Sequence, residues 1–202
     1  MNAMSFSDMG LAALKQQQFD AAINMLRQAL GEDMDNLAAR FGLARALHEK
    51  GSIIEAIGEY RTVLQSDGGH EDCLHHIARA LLQNGDARSA LNHVDIVLRG
   101  KPTDPEFLTL RAQALIALER YEAALSALQS AGHHSPGSET IHRLIASCYR
   151  RNEDFENERR AVEQLLRINP SSLSASNDLG AINLREGHLI AAFEAFEQIL
   201  SQ

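Results

Sequence analysis

The chain has 202 residues, 45% hydrophobic and only 5% aromatic, with a formal net charge of −8. That length and apolar content can bury a substantial core, while the acidic balance excludes a general binder of nucleic acid or anionic membranes unless the cations are segregated on one face. The absence of tryptophan and the sparse Gly and Pro exclude a many-stranded sheet with frequent turns.

The opening MNAMSFSDMG has neither a positive start nor an apolar run, so it is not a secretory signal, and residues 1–3 ahead of a second Met4 carry no structural signal. No stretch approaches the roughly 18 to 20 apolar residues of a membrane span. A cytoplasmic location without membrane insertion is expected, unless a leader precedes these residues.

From Gly10 onward, small residues recur every 34 positions, as Gly10, Ala44, Ala78, Ala112, Ala146 and Gly180. A second series runs in phase with it, as Ala22, Ala56, Ala90, Ala124 and Ala192. A strict period of that length predicts stacked helical hairpins, each touching its neighbours. The windows are 3–36, 37–70, 71–104, 105–138, 139–172 and 173–202.

Each window opens with about 13 residues of apolar periodicity near 3.6, then a break and a second helical stretch. The breaks are Gln17-Gln18, Gly51-Ser52, Gly85-Asp86, Glu119-Arg120, Glu153-Asp154 and Gly187-His188. Glycine there suits the left-handed residue that closes a helix. Second helices carry apolar pairs four apart, such as Leu26 with Leu30 and Val94 with Leu98, and Pro102, Pro136 and Pro170 stop three of them. The two small-residue series are read as the facing points where paired helices approach to about 8 Å.

The pattern resembles the tetratricopeptide repeat. The sixth window has Leu179-Gly180, Ala192, Phe196 and Ile199; the fourth has Leu108, Ala112, Tyr121, Ala124, Leu128, Ala131 and Pro136; the fifth has Ile145, Ala146, Tyr149, Phe155 and Ile168-Asn169-Pro170. The resemblance spans nearly the whole chain. It implies an all-α, right-handed α-solenoid of six hairpins forming a single array over 1–202, either whole or a piece of a longer protein.

Two positions depart from the pattern: Glu158 stands where the other windows have Ala, and Arg111 where others are apolar. Both side chains are expected to reach water or to pair with opposite charges. Glu158→Ala is then expected to stabilise the fold by roughly 1 kcal/mol.

No catalytic constellation is present: there is no phosphate loop, no Gly-x-Ser-x-Gly and no paired Cys-x-x-Cys, so neither catalytic residues nor a cofactor is expected. The best metal cluster, His70, Cys73, His75 and His76, is weak, since histidines at a helix start are usually solvated. His133-His134 is weaker still. Cys73 and Cys148 lie too far apart in a stacked array for a disulfide and are read as reduced, Cys148 as a packed residue.

In the resembled family, first helices line a concave groove that holds an extended peptide. Carried onto this chain, the groove positions are Ser7 and Leu11; Phe41, Arg45 and His48; His75, Arg79 and Leu82; Thr109, Gln113 and Ile116; Arg143, Ser147 and Arg150; and Asn177, Ala181 and Leu184. Acids are absent from this set while four arginines occupy it, which favours a protein or peptide partner presenting an acidic, extended segment. The version of the family that clamps chaperone C-termini uses lysines and asparagines. Here the matching places hold Ser7, Leu11, Gly42, Asp72 and His76, so that role is not expected.

The last helix is apolar at Leu189, Ile190, Phe193, Phe196, Ile199 and Leu200. An uncapped array end predicts either continuation beyond Gln202 or self-association through this face. Three functional readings follow: a non-enzymatic scaffold that binds an acidic segment, a targeting or regulatory arm of a larger bacterial enzyme such as a transferase, or end-to-end assembly.

Overall fold

The computed structural model describes residues 5–200, with side chains described to residue 197. The chain falls into two compact units, residues 1–100 and 101–202. The first contains α1 (Phe6–Lys15), α2 (Phe19–Glu32), α3 (Leu37–Glu49), α4 (Ile53–Ser66), α5 (Glu71–Gln83) and α6 (Ala87–Gly100). The second contains α7 (Pro105–Ala117), α8 (Tyr121–His134), α9 (Glu139–Arg151), α10 (Phe155–Ile168), α11 (Leu173–Arg185) and α12 (Leu189–Leu200). The described residues form no strand.

Each predicted window holds one helix pair, and every expected break is a left-handed residue. Gln17, Glu119 and Glu153 have φ of 59°, 58° and 58°, and Gly51, Gly85 and Gly187 have 88°, 81° and 79°. The hydrogen bonds around them repeat: Gln17 N–H donates to Leu14 and Gln18 N–H to Ala13, and likewise Gly51 to His48 and Ser52 to Leu47. This nested pair satisfies the last carbonyls of the helix and turns the chain sharply into the next one. Half of the sites pay for the turn with a non-glycine residue in a conformation that crowds its Cβ.

Starts of the odd helices are equally repetitive. Asn36, His70, Asp104, Ser138 and Ser172 each precede an odd helix and accept a hydrogen bond from a backbone N–H three residues on. Each satisfies one of the orphan donors of a first turn. In α1 the cap is Ser5.

Inside each unit the small residues sit where two helices meet. Ala22, Ala44, Ala56, Ala78, Ala90, Ala112 and Ala124 are all completely buried. At Gly180 a Cβ would come within 2.6 Å of the Phe196 ring, and at Gly10 within 2.6 Å of Leu26. A bulky residue on the second helix therefore requires glycine opposite it. Within both units an odd helix also touches the next odd helix, as α1 with α3, α3 with α5 and α7 with α9. Odd helices thus form the closely packed side.

Of the two departures from the pattern, Arg111 is exposed, as expected. Glu158 is not: its side chain is 1% exposed and accepts from Arg150 Nε at 2.6 Å and Arg185 Nη2 at 2.5 Å. Arg150 also reaches Asp178 at 2.7 Å, and the Arg185 guanidinium lies 3.9 Å from the Phe155 ring centre. The expected pairing is present. The carboxylate joins α9, α10 and α11 rather than disturbing them, so the expected effect of alanine there changes sign, from stabilising to destabilising.

Candidate functional site

The proposed groove residues lie on odd helices, and their environments differ sharply. On α3 and α5 they surround a cluster of rings. Phe41 lies 4.9 Å from His70, 5.7 Å from His76 and 6.1 Å from Tyr60. His76 stacks on Tyr60 at 6.1 Å with planes 11° apart, and His75 meets His76 edge-on at 5.5 Å. The Arg45 guanidinium sits 5.8 Å from the Phe41 ring, within range of a cation–π attraction.

Arg45 and Arg79 fit a binding role best. Arg79 is exposed and Arg45 half-buried, and neither makes an ion pair among the described residues. His75 and Leu82 are half-buried beside them. Three other cations of this unit are engaged: Arg40 holds Glu59 at 2.9 Å, Arg27 holds Glu55 at 3.1 Å, and Lys50 pairs with Asp20.

His48 is a correction. It is 6% exposed, with Nε2 3.0 Å from Gln83 Oε1 and Nδ1 3.5 Å from the Tyr60 hydroxyl. It belongs to the core, because both ring nitrogens find partners from α4 and α5. In the second unit Arg150 is likewise committed, to Glu158 and Asp178. Gln113 and Ile116 are half-buried and Arg143 is exposed. Thr109 donates its hydroxyl hydrogen to the Pro105 carbonyl at 2.7 Å, and Leu11 packs against Gly42.

The possible metal cluster does not converge. His70 Nδ1 accepts from the Cys73 N–H at 3.2 Å as a helix cap, and Cys73 Sγ faces the Tyr60 carbonyl at 3.5 Å. Among the described residues no group of three or more His, Cys, Asp or Glu could hold a metal ion. Both cysteines are free and buried, and burial pushes the Cys73 thiol up to about 12 and that of Cys148 to about 11. Neither is a nucleophile at neutral pH.

Burial and neighbouring charge shape the ring cluster further. Burial, and then Arg45, His75, Arg79 and His48, hold the His76 imidazole down at about 4. Burial raises the Tyr60 phenol well above its usual range. At neutral pH the His76 and Tyr60 rings are therefore neutral, beside the Arg45 guanidinium.

At the other end, Leu184, Leu189, Ile190 and Phe193 are exposed, the last three by 68%, 79% and 66%. Phe196, expected on the same apolar face, instead turns inward onto Gly180. The side chains of Ile199 and Leu200, and Gln202 altogether, lie outside the described residues. No helix of the described residues is long and apolar enough to cross a membrane.

Comparison with known proteins agrees with the helix-pair geometry. The family profile described as Tetratricopeptide repeat matches residues 7–71, and a second, described as Anaphase-promoting complex, cyclosome, subunit 3, matches residues 49–131. The two profiles together span residues 7–131, and the helix pairs are of the tetratricopeptide repeat type. Among solved structures, a tetratricopeptide repeat protein from Parabacteroides merdae superposes with a TM-score of 0.85 at 17% identity, over 98% of this chain and 80% of that one. MamA from Desulfovibrio magneticus superposes with a TM-score of 0.74 at 20% identity, over 83% of this chain and 94% of that one. No curated protein matches the sequence. The fold is therefore an α-solenoid of the kind that serves as a protein–protein interaction module.

Proposed function

We propose that this chain is a non-enzymatic scaffold that holds an acidic, extended segment of a partner protein on its odd-helix face. One observation carries the reading: Arg45 and Arg79 have no ion-pair partner among the described residues and lie on successive odd helices of a chain whose net charge is −8. Guanidinium groups receive carboxylates in bidentate geometry, and the neighbouring Phe41 and Leu82 supply apolar contact for an extended chain.

In the second unit Arg143 is exposed on α9, whereas Arg150 and His48 serve the fold. A dye-labelled deca-aspartate peptide tests the proposal by anisotropy. Arg45→Ala with Arg79→Ala is expected to weaken binding at least tenfold, about the value of one to two charge-assisted hydrogen bonds. Raising salt from 50 to 500 mM is expected to weaken it as well. Binding that ignores both treatments rejects the acidic-segment reading.

A further inference from the structure

The ring cluster between α3, α4 and α5 contains two buried polar atoms without partners, Arg45 Nε and His76 Nδ1. Both side chains lie within 6 Å of the Phe41 ring. Unpaired buried polar atoms are rare in folded proteins because each forfeits its hydrogen bonds to water. Two beside one ring mark a place whose hydrogen bonding is incomplete.

We propose that Arg45 and His76 form a carboxylate subsite of the odd-helix face, and that an acidic side chain entering it is bound together with a proton on His76. This rests on the acidic-segment reading and adds named residues and a pH response. The Arg45 guanidinium supplies the fixed charge, while His76 becomes a second cation only when an anion arrives to compensate it. Phe41 and the stacked Tyr60 ring hold the imidazole in place.

The surrounding groups set the sign. Facing His76 are Arg45 and His48 from α3, Tyr60 from α4, and His75 and Arg79 from α5, and the charges among them disfavour its protonation. Asp86, just ahead of α6, and His93 on α6 interact with each other and with Arg61. In the free protein the ring therefore charges only near pH 4. Because that value lies below the ordinary one, acidification from about 6.5 towards 4 destabilises the free unit. A bound carboxylate opposes this shift, so affinity rises as pH falls through the same window.

If the carboxylate restores the ordinary histidine value, deca-aspartate binds about tenfold more tightly at pH 5.5 than at pH 7.5. His76→Gln is expected to flatten that dependence, and His75→Gln to preserve it. An NMR titration of the unmodified protein reads the same step directly. The His76 imidazole is expected to titrate at least one pH unit higher with saturating deca-aspartate than without it. Peptide binding that is unchanged by pH, or a tenfold gain that survives His76→Gln, or an unmoved His76 titration, overturns the subsite while leaving the acidic-segment reading in place. No binding at either pH overturns both.

Discussion

Glu158→Ala is expected to destabilise the 101–202 unit by about 2 kcal/mol, although alanine is what the other hairpins carry at this position. Removing one member of a buried ion pair typically costs roughly 3–5 kcal/mol, because the abandoned charge stays buried. Here the abandoned groups are Arg150 and Arg185, whose side chains are 45% and 36% exposed. They regain water, and Arg150 keeps Asp178 while Arg185 keeps Phe155. That relief lowers the cost without reversing it. The converse change, Arg150→Ala with Arg185→Ala, strands a carboxylate that is 1% exposed and costs more than Glu158→Ala. Urea melts of the three proteins order them; a Glu158→Ala midpoint at or above that of the parent contradicts the network account.

The opposite effect is expected at the interhelical turns. Gln17→Gly, Glu119→Gly and Glu153→Gly each relieve a side chain held at φ near +58°, and glycine already occupies the three equivalent turns. Each change is expected to add about 0.5–1 kcal/mol, and the triple variant about 2 kcal/mol, since the sites lie in separate hairpins and share no partners. Glu119 and Glu153 also place negative charge at the carbonyl end of a helix, so their replacement removes an unfavourable dipole interaction. Gly51→Ala is the control and is expected to destabilise by a similar single-site amount. A triple variant that melts no later than its parent refutes the strain argument.

Much of this architecture is written in the period. The facing points, the six left-handed breaks and the stops at Pro102, Pro136 and Pro170 follow from counting, because each depends on local backbone chemistry or on contact with the next helix. The helix caps were also countable. Asn36, His70, Asp104, Ser138 and Ser172 keep the same spacing, and that series assigns His70 to capping rather than to a metal. The role of His48 could not be counted, since its partners Tyr60 and Gln83 come from two other helices whose meeting is tertiary. Arg150 is illegible for a related reason. Its direction is set by Glu158 and Asp178, and Glu158 read alone looks like a misplaced charge. Position in a repeat thus predicts which side chains share a face, while hydrogen bonding decides which of them remain available to a partner.

Backbone amide NMR of the unmodified protein with unlabelled deca-aspartate tests the central claim most directly. Shifts concentrated on α3 and α5, around Phe41, Arg45, His76 and Arg79, and abolished by Arg45→Ala with Arg79→Ala, are the predicted result. Shifts centred on the even helices, or a pattern untouched by removing both arginines, would contradict it.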